Sequence, residues 1–144
     1  MPNITGNLKG KSAVHTQVSL SDTPEHALLL TVGNATQTSN DEHFNNVKHT
    51  SWGTADLTRG HGQQHGYFMN EASNGDRSCG TFECKVSTVN GLLTMEGSWT
   101  FTHGTGQYSG ITGNGKFHGR MTSPTDSETS YEGSYQLKAG TRAA

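Results

Sequence analysis

The stretch HGQQHGYFMNE, from His61 to Glu71, is the most suggestive cluster of proton-moving groups in the chain. Residues two apart on a strand point the same way, so His61, His65, Tyr67, Met69 and Glu71 share one face. An imidazole, a phenol and a carboxylate on one wall make an acid/base set suited to proton transfer or elimination. If that wall lines an interior, His65, Tyr67 and Glu71 are catalytic candidates and Met69 is a neighbouring apolar contact. If the segment is instead a strand end, the histidines are solvated and the tyrosine packs in a core.

Three further histidines are placed by the same parity. His103 follows Trp99 and Phe101 at two-residue steps in WTFTHG, which makes it either a catalytic group at the rim of an aromatic wall or a surface turn residue. His49 shares a face with Val47 and Ala55 and would add a third imidazole. His118 shares a face with Lys116 and Arg120 and reads as solvated.

A metal centre does not follow from these residues. His61 and His65 stand about 13 Å apart at the rise of a regular strand, too far for one ion without a bulge. No pair of histidines two apart precedes a carboxylate, and two cysteines are too few soft ligands. No nucleophile elbow, phosphate loop or dinucleotide fingerprint occurs either. The expectation is a site with no metal and no cofactor.

What must position such a site is a sheet. The chain has 144 residues, 29% of them hydrophobic and 15% charged, with a net charge of −2 and 19 glycines. One domain over 1–144 is the natural division at that length. The polarity comes from Thr, Ser, Asn and Gly rather than charge, which suits strands with a hydroxyl-bearing wet face. No excess of basic residues exists to attract nucleic acid. No apolar run reaches membrane-spanning length and MPNITGNLKG lacks an apolar leader core, so a soluble cytoplasmic protein is expected.

Alternation dominates the second half. TFECKVS, LLTMEGSWTFTH, GKFHGRM and SYEGSYQL each set apolar residues on one face against polar ones on the other. Trp99, Phe101, Phe117, Tyr131 and Tyr135 thereby form an aromatic wall that fills a core, binds a flat ligand, or does both. SAVHTQVSL, VKHTSWGTADL and the His61 stretch read as strands in the first half. SDTPEHALLLTVG opens like a helix, but ALLLTVG favours a strand ended by Gly33. Turns fall at SNDE, TRGHG, SNGDR, VNGLL and SPTDSE, with VNG the clearest hairpin signal.

About eight strands, each with one apolar face, must close on themselves or pack on a second sheet. The class expected is all-β, a single small antiparallel β-barrel. Within it Gly97 and Gly119 interrupt the inward faces and let the strands coil. Cys79 and Cys84, five apart, point to opposite faces and are poorly placed for a disulfide.

The run GSWTFTHGTGQYSGITGNGKF, Gly97 to Phe117, resembles the C-terminal strands of the allene oxide cyclase-like barrel superfamily, including bacterial members of uncharacterised function. SCGTFECKVSTVNGLLTMEGSW ahead of it is similar in layout. The resemblance covers Gly80 to Gly119 and its motif is one of fold, not catalysis. It implies an eight-stranded barrel with an apolar lumen, used in that superfamily for cofactor-independent conversion of hydrophobic substrates. The function expected is an isomerase, cyclase or lyase acting on a hydrophobic or aromatic small molecule. The alternative is a non-catalytic binding barrel, lipocalin-like or avidin-like. A homo-oligomer is possible, although polar alternation argues against a long apolar outer face.

Overall fold

Asn90 and Gly91 both take positive φ, 53° and 80°, the backbone of a tight two-residue hairpin. They join β5 (Arg77–Val89) to β6 (Leu92–Gly104), and hairpins of this kind build the whole chain. The computed structural model describes residues 3–137. Before β5 come β1 (Asn3–Leu20), β2 (His26–Ser39), β3 (Val47–Thr58) and β4 (His61–Glu71). After β6 come β7 (Thr112–Met121) and β8 (Asp126–Gln136). Each strand pairs antiparallel with its chain neighbours, and β8 closes onto β1 to complete an eight-stranded barrel. The helix-like SDTPE is a turn, after which β2 runs from His26 to Ser39, so Gly33 lies within the strand and does not end it. Among the described residues one 3-10 turn, Gly106–Tyr108, is the sole helical piece, and no helix is long and apolar enough to cross a membrane.

Glycine sets the inward phase of the strands. Gly62 and Gly66 on β4 face inward, where a Cβ would run into the backbone oxygens of Asp56 and Trp52 on β3. Elsewhere the vacated space receives rings. A Cβ on Gly115 or Gly133 would lie 2.5 or 2.6 Å from Cζ2 of Trp99, and one on Gly80 would lie 2.5 Å from Cζ of Phe68. The aromatic side chains therefore lie against the glycines of neighbouring strands. Gly97 fits its expected part in coiling, since a Cβ there would strike the Glu83 backbone and Cys84.

The interior divides into two layers. At the end where the chain begins, Ile4, Phe44, Phe68, Trp99, Phe101, Tyr108, Ile111 and Tyr135 form an aromatic cluster. Phe44 comes from the β2–β3 loop, is fully buried, and packs 5.2–5.7 Å from the rings of Phe101, Tyr108 and Tyr135. It is a plug. Toward the other end Ala27, Leu29, Ala55, Leu57, Cys84 and Val86 form a thinner aliphatic layer.

The outer surface is less uniformly polar than alternation suggested. Val18, Leu28, Leu30, Trp52 and Tyr67 are exposed on the outer face of β1 to β4. Val18 lies opposite Leu28, and Trp52 opposite Tyr67, so these side chains form cross-strand apolar pairs. ALLL is apolar on both faces. The cysteines behave as expected: both are free, Cys84 inside and Cys79 half-buried outside.

Two substitutions test this packing. Phe44→Ala removes the plug and should lower the unfolding free energy by about 3–5 kcal/mol in urea titrations. Gly115→Ala should cost about 1–3 kcal/mol, because the added methyl displaces Trp99 or a strand backbone. Unchanged midpoints would contradict the arrangement.

Candidate functional site

Above the aromatic floor the barrel holds a cavity of about 310 Å³. Phe68, Trp99, Phe101 and Ile4 line its depth, and Leu29, Ala55, Leu57 and Val86 its upper wall. It reaches the barrel end formed by the β5–β6 and β7–β8 turns, where Gly91, Leu92, Ser123 and Pro124 border it. The volume is at the lower end of small-molecule sites, which run from roughly 300 to 1,000 Å³.

Four of the predicted substrate contacts line this space: Trp99, Phe101, Phe117 and Tyr131. Tyr135 is inward but lies in the plug below, where its hydroxyl donates to Asp41. Met69 is on the outer face of β4, beside Tyr67.

The predicted acid/base wall is on the outside. His65 is exposed and its ring reaches only Thr54 Oγ1, at 3.5 Å. Tyr67 is 64% exposed, and Glu71 accepts a hydrogen bond from Arg77 at 2.9 Å. Phase explains the reversal: Gly62, Gln64, Gly66, Phe68 and Asn70 take the inward positions of β4, because only glycine fits so close to β3 at two of them. His103 is exposed as well. A register shift opposite Cys79 and Gly80 puts it out of step with Trp99 and Phe101, and its Nδ1 meets the Thr102 hydroxyl at 3.0 Å. His118 is exposed as expected.

One of the histidines placed by parity does reach the lumen. His49 on β3 lines the cavity and stacks on Phe68 with ring centroids 5.8 Å apart. Its Nδ1 is 2.8 Å from Asn70 Oδ1, and Asn70 Nδ2 donates in turn to Ser78 Oγ at 3.2 Å. Asn70 and Ser78 are buried, so this chain fixes the ring. Burial pushes the His49 pKa below 6.5, and the Asn70 hydrogen bond opposes that only in part. A neutral ring donating from Nδ1 leaves Nε2 as an acceptor or base.

Other polar groups divide by depth. Gln37 on β2 donates from Nε2 to the Tyr131 hydroxyl across β1, in space left by Gly6, where a Cβ would strike that hydroxyl. Nearer the mouth Gln64 donates to Thr31 Oγ1 at 3.3 Å. Burial raises the Tyr131 pKa, and it pushes the Cys84 thiol up to about 11, so that sulfur stays protonated.

The plug carries its own network. Burial works against the Asp41 carboxylate, but hydrogen bonds from Tyr135 and His43 outweigh it and hold its pKa below 3.8. Tyr108 donates to the His43 carbonyl, and burial, with the nearby carboxylates of Asp76 and Asp41, pushes its own pKa up to about 12. These groups seal the floor and do not open on the cavity.

Asn70, Ser78, Gln37 and the plug were not read as site residues from the sequence. A lone aromatic in the polar turn NDEHFNN was the available sign of Phe44, and His49 was marked only by its parity. These features define a class, a β-barrel closed at one end around an apolar cavity with a few polar groups. No protein-family model matches the chain, and no functionally characterised protein matches it in sequence.

His49 yields a pH prediction. Its folded pKa lies below the unfolded value of 6.5, so the unfolded chain binds the extra proton first. The stability contributed by neutral His49 is complete above pH 6.5 and declines as pH falls from there toward the folded pKa. His26 acts oppositely, since hydrogen bonds to Asp22 and Asp56 raise its pKa and its contribution is lost as pH rises. His49→Gln should therefore flatten the loss of urea stability between pH 6.5 and 5 relative to wild type. Identical slopes would place His49 in contact with bulk water.

Proposed function

We propose that this chain is a barrel of the allene oxide cyclase-like type that holds a hydrophobic or aromatic small molecule in its lumen. The cavity itself supports this reading: about 310 Å³ inside a barrel of eight strands, bounded below by aromatic rings and reaching the opposite end. Eight strands enclose a bore that side chains ordinarily fill. Keeping it open leaves apolar surface without partners, and a ligand of matching polarity would restore those contacts. The outward placement of His65, Tyr67, Glu71 and His103 favours binding over the catalysis expected of them.

A second reading keeps the isomerase, cyclase or lyase activity and moves its base to His49. It is favoured by one observation, an oriented imidazole lining the cavity with Nδ1 held by Asn70. Proton transfer at Nε2 would need only a ligand atom within hydrogen-bond reach.

The binding reading is tested with Trp52→Phe protein, in which Trp99 is the remaining tryptophan. Titration with pentylbenzene should shift Trp99 emission saturably. Ala35→Phe, which fills part of the lumen, should abolish the shift while the melting transition persists. A folded Trp52→Phe protein with no saturable response would end the proposal. If a substrate is found, His49→Gln should still bind it and fail to convert it.

A further inference from the structure

We propose that the lumen selects a neutral ligand bearing a hydrogen-bond donor, an alcohol or a phenol, whose O–H is taken by the side-chain carbonyl of Gln37. This rests on the lumen reading above and specifies the ligand's head.

Gln37 is 4% exposed and lines the cavity, yet only half of its amide is satisfied. Nε2 donates to the Tyr131 hydroxyl, while Oε1 is buried with no hydrogen-bond partner. Among the described residues it is the one buried side-chain polar atom left in that condition. Buried acceptors are almost always paired, and an orphan beside a cavity marks the place where something else completes the bond. What completes it must donate.

Another polar group of the lumen makes the same demand. His49 gives its Nδ1 hydrogen to Asn70 Oδ1, so Nε2 presents a lone pair rather than a hydrogen. Two acceptors on adjacent strands, β2 and β3, thus look for a donor. An ether, an ester or a ketone brings none: it could only accept from the Tyr131 hydroxyl, whose hydrogen Gln37 Nε2 does not use, and it would leave both acceptors unpaired.

Charge excludes the other common head group. The side chains lining the depth of the cavity are apolar or uncharged: Gln37, His49, Asn70, Ser51 and Tyr131 are its polar members. Cationic Lys11 and exposed His15 belong to the outer half of β1. The Lys11 side chain is 80% exposed and lies 3.6 Å from Asp126. A carboxylate carried to the floor would shed its water with no cation to meet it, which is strongly unfavourable.

Three matched probes test the head group by isothermal titration calorimetry: para-pentylphenol, para-pentylanisole and para-pentylbenzoate. The phenol should bind about tenfold or more tighter than its methyl ether, as one added hydrogen bond to a buried group predicts. The benzoate should bind at least about a hundredfold more weakly than the phenol. In Gln37→Met the phenol should lose its advantage over the ether, while the ether binds as before. Equal affinities for phenol and ether in the wild type would overturn the inference yet leave the lumen reading standing, and that comparison holds whether or not the variant folds. A benzoate that binds tightest would overturn it too. Failure of all three, and of pentylbenzene, would remove the lumen reading and this inference together.

Discussion

The barrel depends on one steric constraint: strands coil tightly enough to close at eight only where their inward positions shed a side chain. A Cβ at Gly62 or Gly66 would overlap the backbone of β3, and one at Gly97 the backbone of β5. The strands cross there at a distance no alanine permits. Where glycine leaves room at ring height, Trp99 and Phe68 lean onto the opposing strands instead of spanning the bore. The same residues that close the sheet therefore decide which part of the interior is solid and which is open. Rings lying over Gly80, Gly115 and Gly133 make the floor, and small residues such as Ala35 and Ala55 above them leave the cavity.

The floor is held by a second device, and it frees the lumen from structural duty. Phe44 enters from a loop and is clasped by Tyr108, Tyr135 and Phe101. The polar tips of that cluster find partners away from the cavity, Tyr135 on Asp41 and Tyr108 on the His43 carbonyl. Buried polar groups in such a plug are stabilising only because they are satisfied. Gln37 breaks that rule one layer higher. Paired hydroxyls in the plug and an orphaned amide carbonyl beside the cavity separate the part that holds the fold from the part that, in the reading proposed above, meets a ligand.

Period and turn chemistry were legible in the sequence; phase was not always. The alternation in LLTMEGSWTFTH and SYEGSYQL, and the Asn-Gly turn, fixed strand existence and most boundaries because each rests on local geometry. Phase failed on β4, where proton-moving groups at two-residue steps said which residues share a face but not which face turns inward, and the candidate wall is the outer one. The signal that would have corrected it is Gly62 and Gly66, which mark the lumen by lacking side chains. The first half of β1 hid for the same reason: Ile4, Gly6, Leu8 and Gly10 alternate properly, but two of the four are glycines. His103 was lost to a bulge, which shifts parity by one and leaves no composition signature. Phe44 belongs to a loop, and a loop residue's burial is a tertiary fact.

The placement of polar groups along the bore also sets the direction from which the proposed ligand would come. The floor is closed by packed rings, and nothing polar in the plug faces upward. At the other end β1 pairs with β8 only as far as Lys11, while its remaining residues, through Leu20, pair with β2 alone. The seam beyond Lys11 is bridged by one backbone hydrogen bond from Ser12 N to Thr125 O and by the exposed Lys11–Asp126 pair. An exposed pair of that kind contributes little to stability, so the ladder is weakest where the cavity reaches the surface. The same end carries Lys11 and Asp126, which keep water at the rim, whereas Gln37 and His49 wait deeper among aromatic rings. A ligand of the kind proposed, passing that rim with an apolar body, would exchange water for hydrocarbon along the way and meet the unpaired Gln37 carbonyl only at depth. In that reading opening and recognition reside at opposite ends of one tube.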